Sequence, residues 1–260
     1  MLTAYDFAMA QAVDEAGVDL ILVGDSGGMV SLGYSTTVPV TMEDMMFMAT
    51  SVCRAKTNAL VIADMPYLSY EISTEEAIRN AGRLIKTAGA DAVKLEGGVK
   101  RHETIRAMVK AGIPVMGHVG LTPQTAQSLG GFKVQGKSLA AARDIILDAE
   151  AVQDAGAFSI VLEAIPAALS GVITERLNIP TIGIGAGPKC DGQVLVTHDV
   201  LGLFQEFKPK FVRRYAELHP LMVKACQEYG EDVRTGNFPA AEHTFSIDEK
   251  ILQQLIEELE

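Results

Sequence analysis

The sequence predicts an α/β fold, a single (β/α)8 barrel of the TIM type, on three observations. Short runs of Val, Ile and Leu alternate with helical segments along the whole chain, a pattern that gives a parallel sheet. The chain has 260 residues without a linker or low-complexity tract, which favours one closed barrel over an open sheet. Five of the apolar runs end in a polar side chain: Asp25, Asp64, Glu96, His118 and Glu163.

The order of the elements follows from apolar spacing, capping residues and glycines. We expect strands at residues 2–5, 20–25, 60–64, 92–96, 115–118, 159–163, 181–184 and 193–196. We expect helices at residues 7–15, 74–88, 139–155, 166–177 and 248–260, another that begins after the cap Thr41, and one that ends at about Ala111. Residues 26–39 and 120–136 are expected to be loops, and the second is long enough to be functional or a lid.

Composition excludes several classes of protein. Lys and Arg number 22 against 33 Asp and Glu, a formal net charge of -11, which argues against binding nucleic acid or anionic membranes. No apolar run approaches the roughly 20 residues of a membrane span, and the first residues lack the basic segment of a signal peptide. Cys53, Cys190 and Cys226 show no metal-binding spacing, so we expect thiols in a reducing cytoplasm.

Three acids at matching strand ends predict a metal site. The carboxyl ends of barrel strands converge on one mouth, so Asp25, Asp64 and Glu96 are expected to meet there. Oxygen-only ligands suit Mg²⁺, whereas zinc would favour more His or Cys. The alternative is that each acid caps a helix or simply ends a strand.

Lys94 and Glu96 are two residues apart on one strand, so their side chains share a face. If Glu96 points into the mouth, Lys94 lies one layer below it. A lysine inside a barrel is costly unless it is paired, and carboxylates or an anionic substrate would pair it. The alternative is a structural ion pair with Asp64 or Glu96.

Glu163 and His118 are the candidates for proton transfer. Glu163 follows an apolar run, and such surroundings raise a carboxyl pKa toward the range of a general base. Its alternative role is to cap the helix near Pro166. His118 is either a ligand or proton carrier, or a histidine whose hydrogen bonds are satisfied in the core.

Two further patterns favour packing over chemistry. The segment 183–187, GIGAG, resembles a phosphate-binding loop but lacks the GxGxxG spacing, so tight packing at the barrel mouth is the better interpretation. Met42, Met45, Met46 and Ala49 follow helical spacing and are interpreted as core rather than as a cofactor-binding stripe.

Several segments occur in the order found in a known family. They are VGDS (23–26), ADMP (63–66), VKLEGG (93–98), GHVGLTPQ (117–124), GGFKVQG (130–136), LE (162–163) and IGIGAG (182–187). On these motifs the chain resembles ketopantoate hydroxymethyltransferases from Leu2 to about Phe245. The blocks HVGLTPQ and GGFKVQG are the most specific of them.

The resemblance implies a (β/α)8 barrel that transfers a hydroxymethyl group from 5,10-methylenetetrahydrofolate to 3-methyl-2-oxobutanoate, giving 2-dehydropantoate for pantothenate and coenzyme A synthesis. By motif it implies Mg²⁺ at Asp25, Asp64 and Glu96, and Glu163 as the proton acceptor. Substrate contacts are implied for Asp25, Ser26, Asp64 and Lys94. His118, in its interpretation as a ligand or proton carrier, is counted with these substrate contacts. It also implies a cytoplasmic homodecamer, a pentamer of dimers.

The chain departs from the family pattern in three places. Family members usually carry a helix before the first strand, so we expect a barrel lacking that helix. Residues 27–31 differ in detail from the pattern. The apolar spacing of Ile247, Ile251, Leu252 and Leu255 predicts an added helix over about 246–260, within a single domain covering 1–260.

Two rival interpretations differ in class. One is a Mg²⁺-dependent barrel of the phosphoenolpyruvate mutase and isocitrate lyase type, which uses a cysteine in a KKCGH-like loop that this sequence lacks. The other is a non-catalytic barrel that has lost its activity. Metal-dependent exchange of the C3 proton of 3-methyl-2-oxobutanoate would separate an enzyme from such a protein.

Overall fold

Eight parallel strands form the centre of the molecule. The computed structural model of the chain describes residues 1–129 and 133–260, without the side chains of 127–129. The strands are β1 (Leu2–Thr3), β2 (Leu20–Val23), β3 (Leu60–Asp64), β4 (Ala92–Lys94), β5 (Val115–Gly120), β6 (Ser159–Glu163), β7 (Thr181–Ile184) and β8 (Gly192–Gln193). Each strand pairs with the next along the chain, and a parallel bridge between Leu2 and Leu195 joins the two ends of the sheet. The predicted barrel is therefore confirmed, with several strands shorter than expected.

Helices follow most of the strands, as the alternation predicts. They are α1 (Phe7–Glu15), α2 (Gly27–Val30), α3 (Met42–Cys53), α4 (Thr74–Arg83), α5 (His102–Lys110), α6 (Leu139–Asp154), α7 (Ala167–Arg176), α8 (Thr197–Val200), α9 (Leu218–Thr235) and α10 (Glu249–Leu259). A π-helical turn, Leu84–Ala88, continues α4, and 3-10 turns cover Val99–Arg101, Pro123–Leu129 and Ala241–His243.

The structure departs from the expected elements at three points. The short helix α2 lies in the stretch 26–39 that was expected to be a loop. A 3-10 helix occupies 123–129 of the loop that was expected to be functional or a lid, and Gly130, Gly131 and Phe132 of that loop lie outside the described residues. The eighth strand, expected over 193–196, covers Gly192–Gln193, and residues 185–191 connect it to β7 without a helix, as expected.

Side chains inside the barrel form layers, because they alternate between the two faces of each strand. The lower layer is apolar and consists of Leu22, Ile62, Ala92, Met116, Val161, Ile182 and Val194. Two residues further along four of these strands the alternation places Asp64, Lys94, His118 and Glu163. The polar layer therefore rests directly on an apolar floor.

The opposite faces of the strands pack against the helices. Met42, Met45, Met48 and Ala49 of α3 are buried in this outer core, which confirms the packing interpretation of the methionine spacing, although Met46 is only partly buried. Thr41 caps α3, its hydroxyl accepting a hydrogen bond from the Asp44 N–H at 3.1 Å.

The chain divides into two compact units, Met1–Tyr215 and Ala216–Glu260. The first contains the whole barrel. The second contains α9 and α10, and the predicted C-terminal helix over 248–260 is present as α10, with Asp248 as its N-cap. No helix in the described part of the chain combines the length and the apolar character needed to cross a membrane.

Candidate active site

One cavity of about 620 Å³ opens at the carboxyl ends of the strands. Its lining includes every residue predicted to bind metal or substrate or to transfer protons, namely Asp25, Ser26, Asp64, Lys94, Glu96, His118 and Glu163. The predicted convergence of four carboxylates and an imidazole on one mouth is thus confirmed. Asp64 and Glu163 end β3 and β6, His118 lies within β5, and Asp25 and Glu96 each lie two residues beyond a strand.

Lys94 is the buried cation of the cavity. Its Nζ lies 2.8 Å from Asp64 Oδ1 and 3.3 Å from His118 Nδ1, and its side chain is almost wholly buried. Burial alone lowers the lysine pKa, but the carboxylates of Asp64, Glu96 and Asp25 raise it further than burial lowers it. Lys94 is therefore a fixed positive charge at the base of the site.

His118 lies between Lys94 and Glu163. Because the Lys94 ammonium only donates hydrogen bonds, His118 Nδ1 accepts there, and the ring proton is assigned to Nε2. Nε2 lies 3.1 Å from Glu163 Oε2. Burial and the Lys94 charge hold the His118 pKa well below its usual range, so the ring is neutral. His118 is thus a buried histidine whose Nε2 makes no hydrogen bond within the described residues, so its hydrogen bonds are not all satisfied, and its role as a ligand or proton carrier stays a prediction.

Three of the acids bind their protons more tightly than usual. Burial, only partly offset by Lys94, raises the pKa of Glu163 to about 7. Burial and the neighbouring Asp64 carboxylate raise the pKa of Asp25 to about 7, and burial followed by the charge of Asp25 raises the pKa of Glu96. The three shifts share burial as their first cause, and the charges of neighbouring carboxylates add to it at Asp25 and Glu96.

Asp25 and Ser26 are held by contacts at the β2 end. The Asp25 N–H donates to Asp64 Oδ2 at 3.0 Å, so the two acids are fixed relative to each other. The Ser26 hydroxyl lies 2.9 Å from Tyr5 Oη, within hydrogen-bond distance. Tyr5 is buried, which together with nearby carboxylates keeps its hydroxyl protonated by raising its pKa.

Sequence reasoning missed two residues of the site. Gln124 is buried and its Nε2 donates to Asp25 Oδ2 at 2.8 Å. Tyr70 is buried and its hydroxyl donates to Gln124 Oε1 at 2.6 Å. Gln124 lies in the HVGLTPQ block, whose specificity was the only signal available, and Tyr70 lies outside every motif.

The carboxylates fit a hard divalent cation by charge and by donor type. Asp25, Asp64 and Glu96 supply only oxygen, and one lysine cannot neutralise them together with Glu163. Within residues 1–129 and 133–260, however, no three acidic, histidine or cysteine side chains form a ready-made ligand set. Asp64 Oδ1 faces Lys94 and Asp25 Oδ2 faces Gln124, so a cation would be held partly through water.

The GIGAG segment is tightly packed, as expected. A Cβ at Gly187 would lie 2.3 Å from the Ala167 Cβ at the start of α7, and the φ of Gly187 is +81°. Only glycine combines this conformation with so close an approach. The glycines therefore allow β7 to end beside the cavity.

A β/α barrel whose mouth gathers buried acids, a lysine and a histidine is the architecture of an enzyme that performs acid–base chemistry on a small molecule. The fold is shared with a solved 2,3-dimethylmalate lyase, a member of the PEP mutase/isocitrate lyase superfamily, at a TM-score of 0.58 and 16% identity over 98% of this chain and 92% of that one. Identity this low shows a common fold alone.

Sequence comparison is more specific. The family model described as ketopantoate hydroxymethyltransferase matches residues 1–241. The 3-methyl-2-oxobutanoate hydroxymethyltransferase of Moorella thermoacetica is 59% identical over 94% of this chain and 91% of its own length. That of Syntrophomonas wolfei is 56% identical over 98% of this chain and 92% of its own length. The chain belongs to the ketopantoate hydroxymethyltransferase family, a family of transferases.

Proposed function

We propose that the protein transfers a hydroxymethyl group from 5,10-methylenetetrahydrofolate to 3-methyl-2-oxobutanoate and forms 2-dehydropantoate for coenzyme A synthesis. The observation that carries the proposal is the single cavity shared by Glu163, Lys94 and the acids in a member of this family. The rival superfamily shares only the fold.

Glu163 is the proposed base. Its carboxylate removes the C3 proton of the keto acid, and a pKa of about 7 makes proton transfer efficient near neutral pH. His118, whose Nε2 lies 3.1 Å from Glu163 Oε2, orients the carboxylate in this scheme. Lys94 places positive charge near the keto acid oxygens, where negative charge develops as the proton leaves.

Asp25, Asp64 and Glu96 are the proposed residues for Mg²⁺, directly or through water. When bound, a divalent cation supplies electrophilic polarisation of the carboxylate and carbonyl of a 2-oxo acid. Asp25 and Ser26, with Asp64 and Lys94, are the proposed substrate contacts. The carbanion formed at C3 then bonds to the one-carbon unit, whose two bonds to the folate nitrogens break over the reaction. Water provides the hydroxyl group of the product, and tetrahydrofolate leaves with the two protons lost from C3 and from water.

Two features of the cavity support a second substrate. Its volume of about 620 Å³ is far larger than a small keto acid requires. Its outer lining includes Phe204, Phe207 and Phe211, apolar surface that suits a flat aromatic ring system. The co-substrate is therefore proposed to lie over the keto acid from this side.

The assembly is proposed to be a cytoplasmic homodecamer of a single-domain chain. In the second unit, α10 exposes Ile251, Leu252, Leu255 and Ile256, an apolar row of the kind that subunit contacts bury. Light scattering after size exclusion tests the decamer, which a monomer or dimer at micromolar concentration would contradict.

The transfer itself is tested with both substrates and Mg²⁺. We expect 2-dehydropantoate to form in proportion to folate consumed, and omission of either substrate to abolish it. Turnover of 3-methyl-2-oxobutanoate to any other product, or none in folded protein, would contradict the proposal.

A further inference from the structure

A buried hydrogen-bond network joins two of the acids through residues to which the proposed chemistry assigns no role. The Gln124 side chain donates from Nε2 to Asp25 Oδ2 at 2.8 Å and to the Met65 carbonyl at 3.0 Å. The Gln124 main-chain N–H donates to Glu96 Oε2 at 3.2 Å. One residue therefore contacts both Asp25 and Glu96.

The direction of each hydrogen bond fixes the orientation of the Gln124 amide. The Glu96 N–H donates to the Tyr70 hydroxyl at 3.3 Å, so the single hydroxyl proton of Tyr70 is free to point at Gln124 Oε1, 2.6 Å away. A flipped amide would set Oε1 against the Asp25 carboxylate and the Met65 carbonyl, both acceptors. Tyr70 thus obliges Gln124 to present its NH₂ group to Asp25.

Tyr70 is itself held firmly. Its side chain is 2% exposed, and the guanidinium of Arg101 lies over its ring at 5.6 Å from the centroid. A hydroxyl so placed stabilises its partner without reorganisation. The orientation of Gln124 is therefore set before any ligand arrives.

The amide is suited to a site that must keep its negative charge. A neutral donor fixes the position of Asp25 without neutralising it, whereas a lysine or arginine at position 124 would compete with a bound cation. A glutamate there would add another carboxylate to a cavity already crowded with them. Gln124 can thus orient the Asp25 carboxylate as a metal ligand without itself binding the metal in place of that carboxylate.

We propose that Gln124, oriented by Tyr70, is a positioning residue that sets the Asp25 and Glu96 carboxylates for a divalent cation and the keto acid. The inference rests on the proposed function, since it assigns these two residues to that site. It also gives a role to the segment after β5 that contains Gln124, which is to hold the Asp25 and Glu96 carboxylates in place.

The test uses Tyr70→Phe and Gln124→Met in the full chain. Tyr70→Phe keeps the ring under Arg101 and removes only the hydroxyl, and Gln124→Met keeps the shape and removes the amide. Mn²⁺ is the probe, and its dissociation constant is read from the resonance of free Mn²⁺ without substrate. We expect the constant to rise roughly tenfold for Tyr70→Phe and 10–100-fold for Gln124→Met. We expect kcat for C3 proton exchange to fall in both variants.

A matched control separates positioning from stability. The buried Ser159 hydroxyl donates to the Pro180 carbonyl at 2.8 Å at the start of β6, the opposite end of the strand from Glu163. Ser159→Ala should lower the melting temperature without changing Mn²⁺ affinity or exchange.

The outcomes are distinguishable. Variants that have a lower melting temperature but bind Mn²⁺ and exchange the C3 proton like the wild type would show a purely structural role and overturn the inference. A wild type that neither binds Mn²⁺ nor exchanges the proton would overturn the proposed function, and the inference with it. If Gln124→Met fails to fold, the result with Tyr70→Phe decides.

Discussion

Lys94 shows how single residues set the properties of the site. It lies 2.8 Å from Asp64 Oδ1, and both side chains are almost inaccessible to water. The ion pair that the alternative interpretation of Lys94 required is therefore present, and the same lysine faces the cavity. A buried pair of this kind is costly to break, because the remaining charge stays in a medium that solvates it poorly.

Replacing Lys94 with methionine tests that cost. Lys94→Met leaves the Asp64 carboxylate buried without its cation, and we expect the free energy of unfolding to fall by about 3–5 kcal/mol in urea. The double variant Lys94→Met/Asp64→Asn should recover much of this loss, because no isolated charge remains. Equal stability of wild type and Lys94→Met would contradict the pairing.

The proposed role of Glu163 as the base predicts the pH dependence of proton exchange. A base acts only when deprotonated, and burial raises its pKa to about 7, so the rate should rise with pH and reach half its plateau near that value. The measurement is kcat/KM for C3 exchange across neutral pH. A rate that stays flat from about pH 5 upward would show a carboxyl with an ordinary pKa.

The residues of the site were predictable to different degrees. Asp64, His118 and Glu163 could be predicted because each lies at or near the end of a regular apolar strand. Gln124 could not, because its partner Asp25 is 99 positions away and the contact depends on how a loop folds back. Tyr70 likewise lies in a loop, where no periodicity indicates the direction of a side chain.

At the scale of elements, β5 and α6 approach unusually closely. A Cβ at Gly117 would lie 2.3 Å from Val152 Cγ1 of α6, so only glycine allows the observed packing. This glycine precedes His118, and any shift of β5 would move the imidazole. The glycine in the GHVG motif therefore has a packing reason as well as its place in the family pattern.

Gly117→Ala tests this packing. We expect the free energy of unfolding to fall by about 1–3 kcal/mol, because the added methyl overlaps Val152. Gly117→Ala/Val152→Ala should restore part of the loss by opening space on α6. The free energies are measured by urea unfolding. If the double variant loses as much as or more than the sum of the two single variants, the two residues do not share this contact.

Elements with strong periodicity were predicted well and short ones were not. Helix α1 and strands β3, β6 and β7 have the predicted bounds, since their apolar spacing is unambiguous. Helix α2, Gly27–Val30, is too short and too rich in glycine to carry a helical signal. The π-helical turn after α4 depends on tertiary packing, which the local sequence does not indicate.

At the scale of the whole molecule, barrel geometry explains why the polar residues meet. Alternation along the strands sets an apolar floor of residues such as Met116 and Val161, and the next inward layer carries the charges. The floor excludes water from below, which strengthens the interactions of Lys94 and the acids. A mouth that holds both the Glu163 carboxylate and the positive charge of Lys94 is suited to the proposed removal of a proton next to a carbonyl.

The most direct test of the account is NMR-detected deuterium exchange at C3 of 3-methyl-2-oxobutanoate, with and without Mg²⁺ and in the absence of folate. We expect metal-dependent exchange in the wild type, a loss of at least about 100-fold in Glu163→Gln, and normal exchange in Glu150→Gln, the same change on the partly exposed face of α6. Near-normal exchange in Glu163→Gln would contradict the assignment of Glu163 as the base. No exchange in folded wild type with Mg²⁺ would contradict the proposed chemistry as a whole.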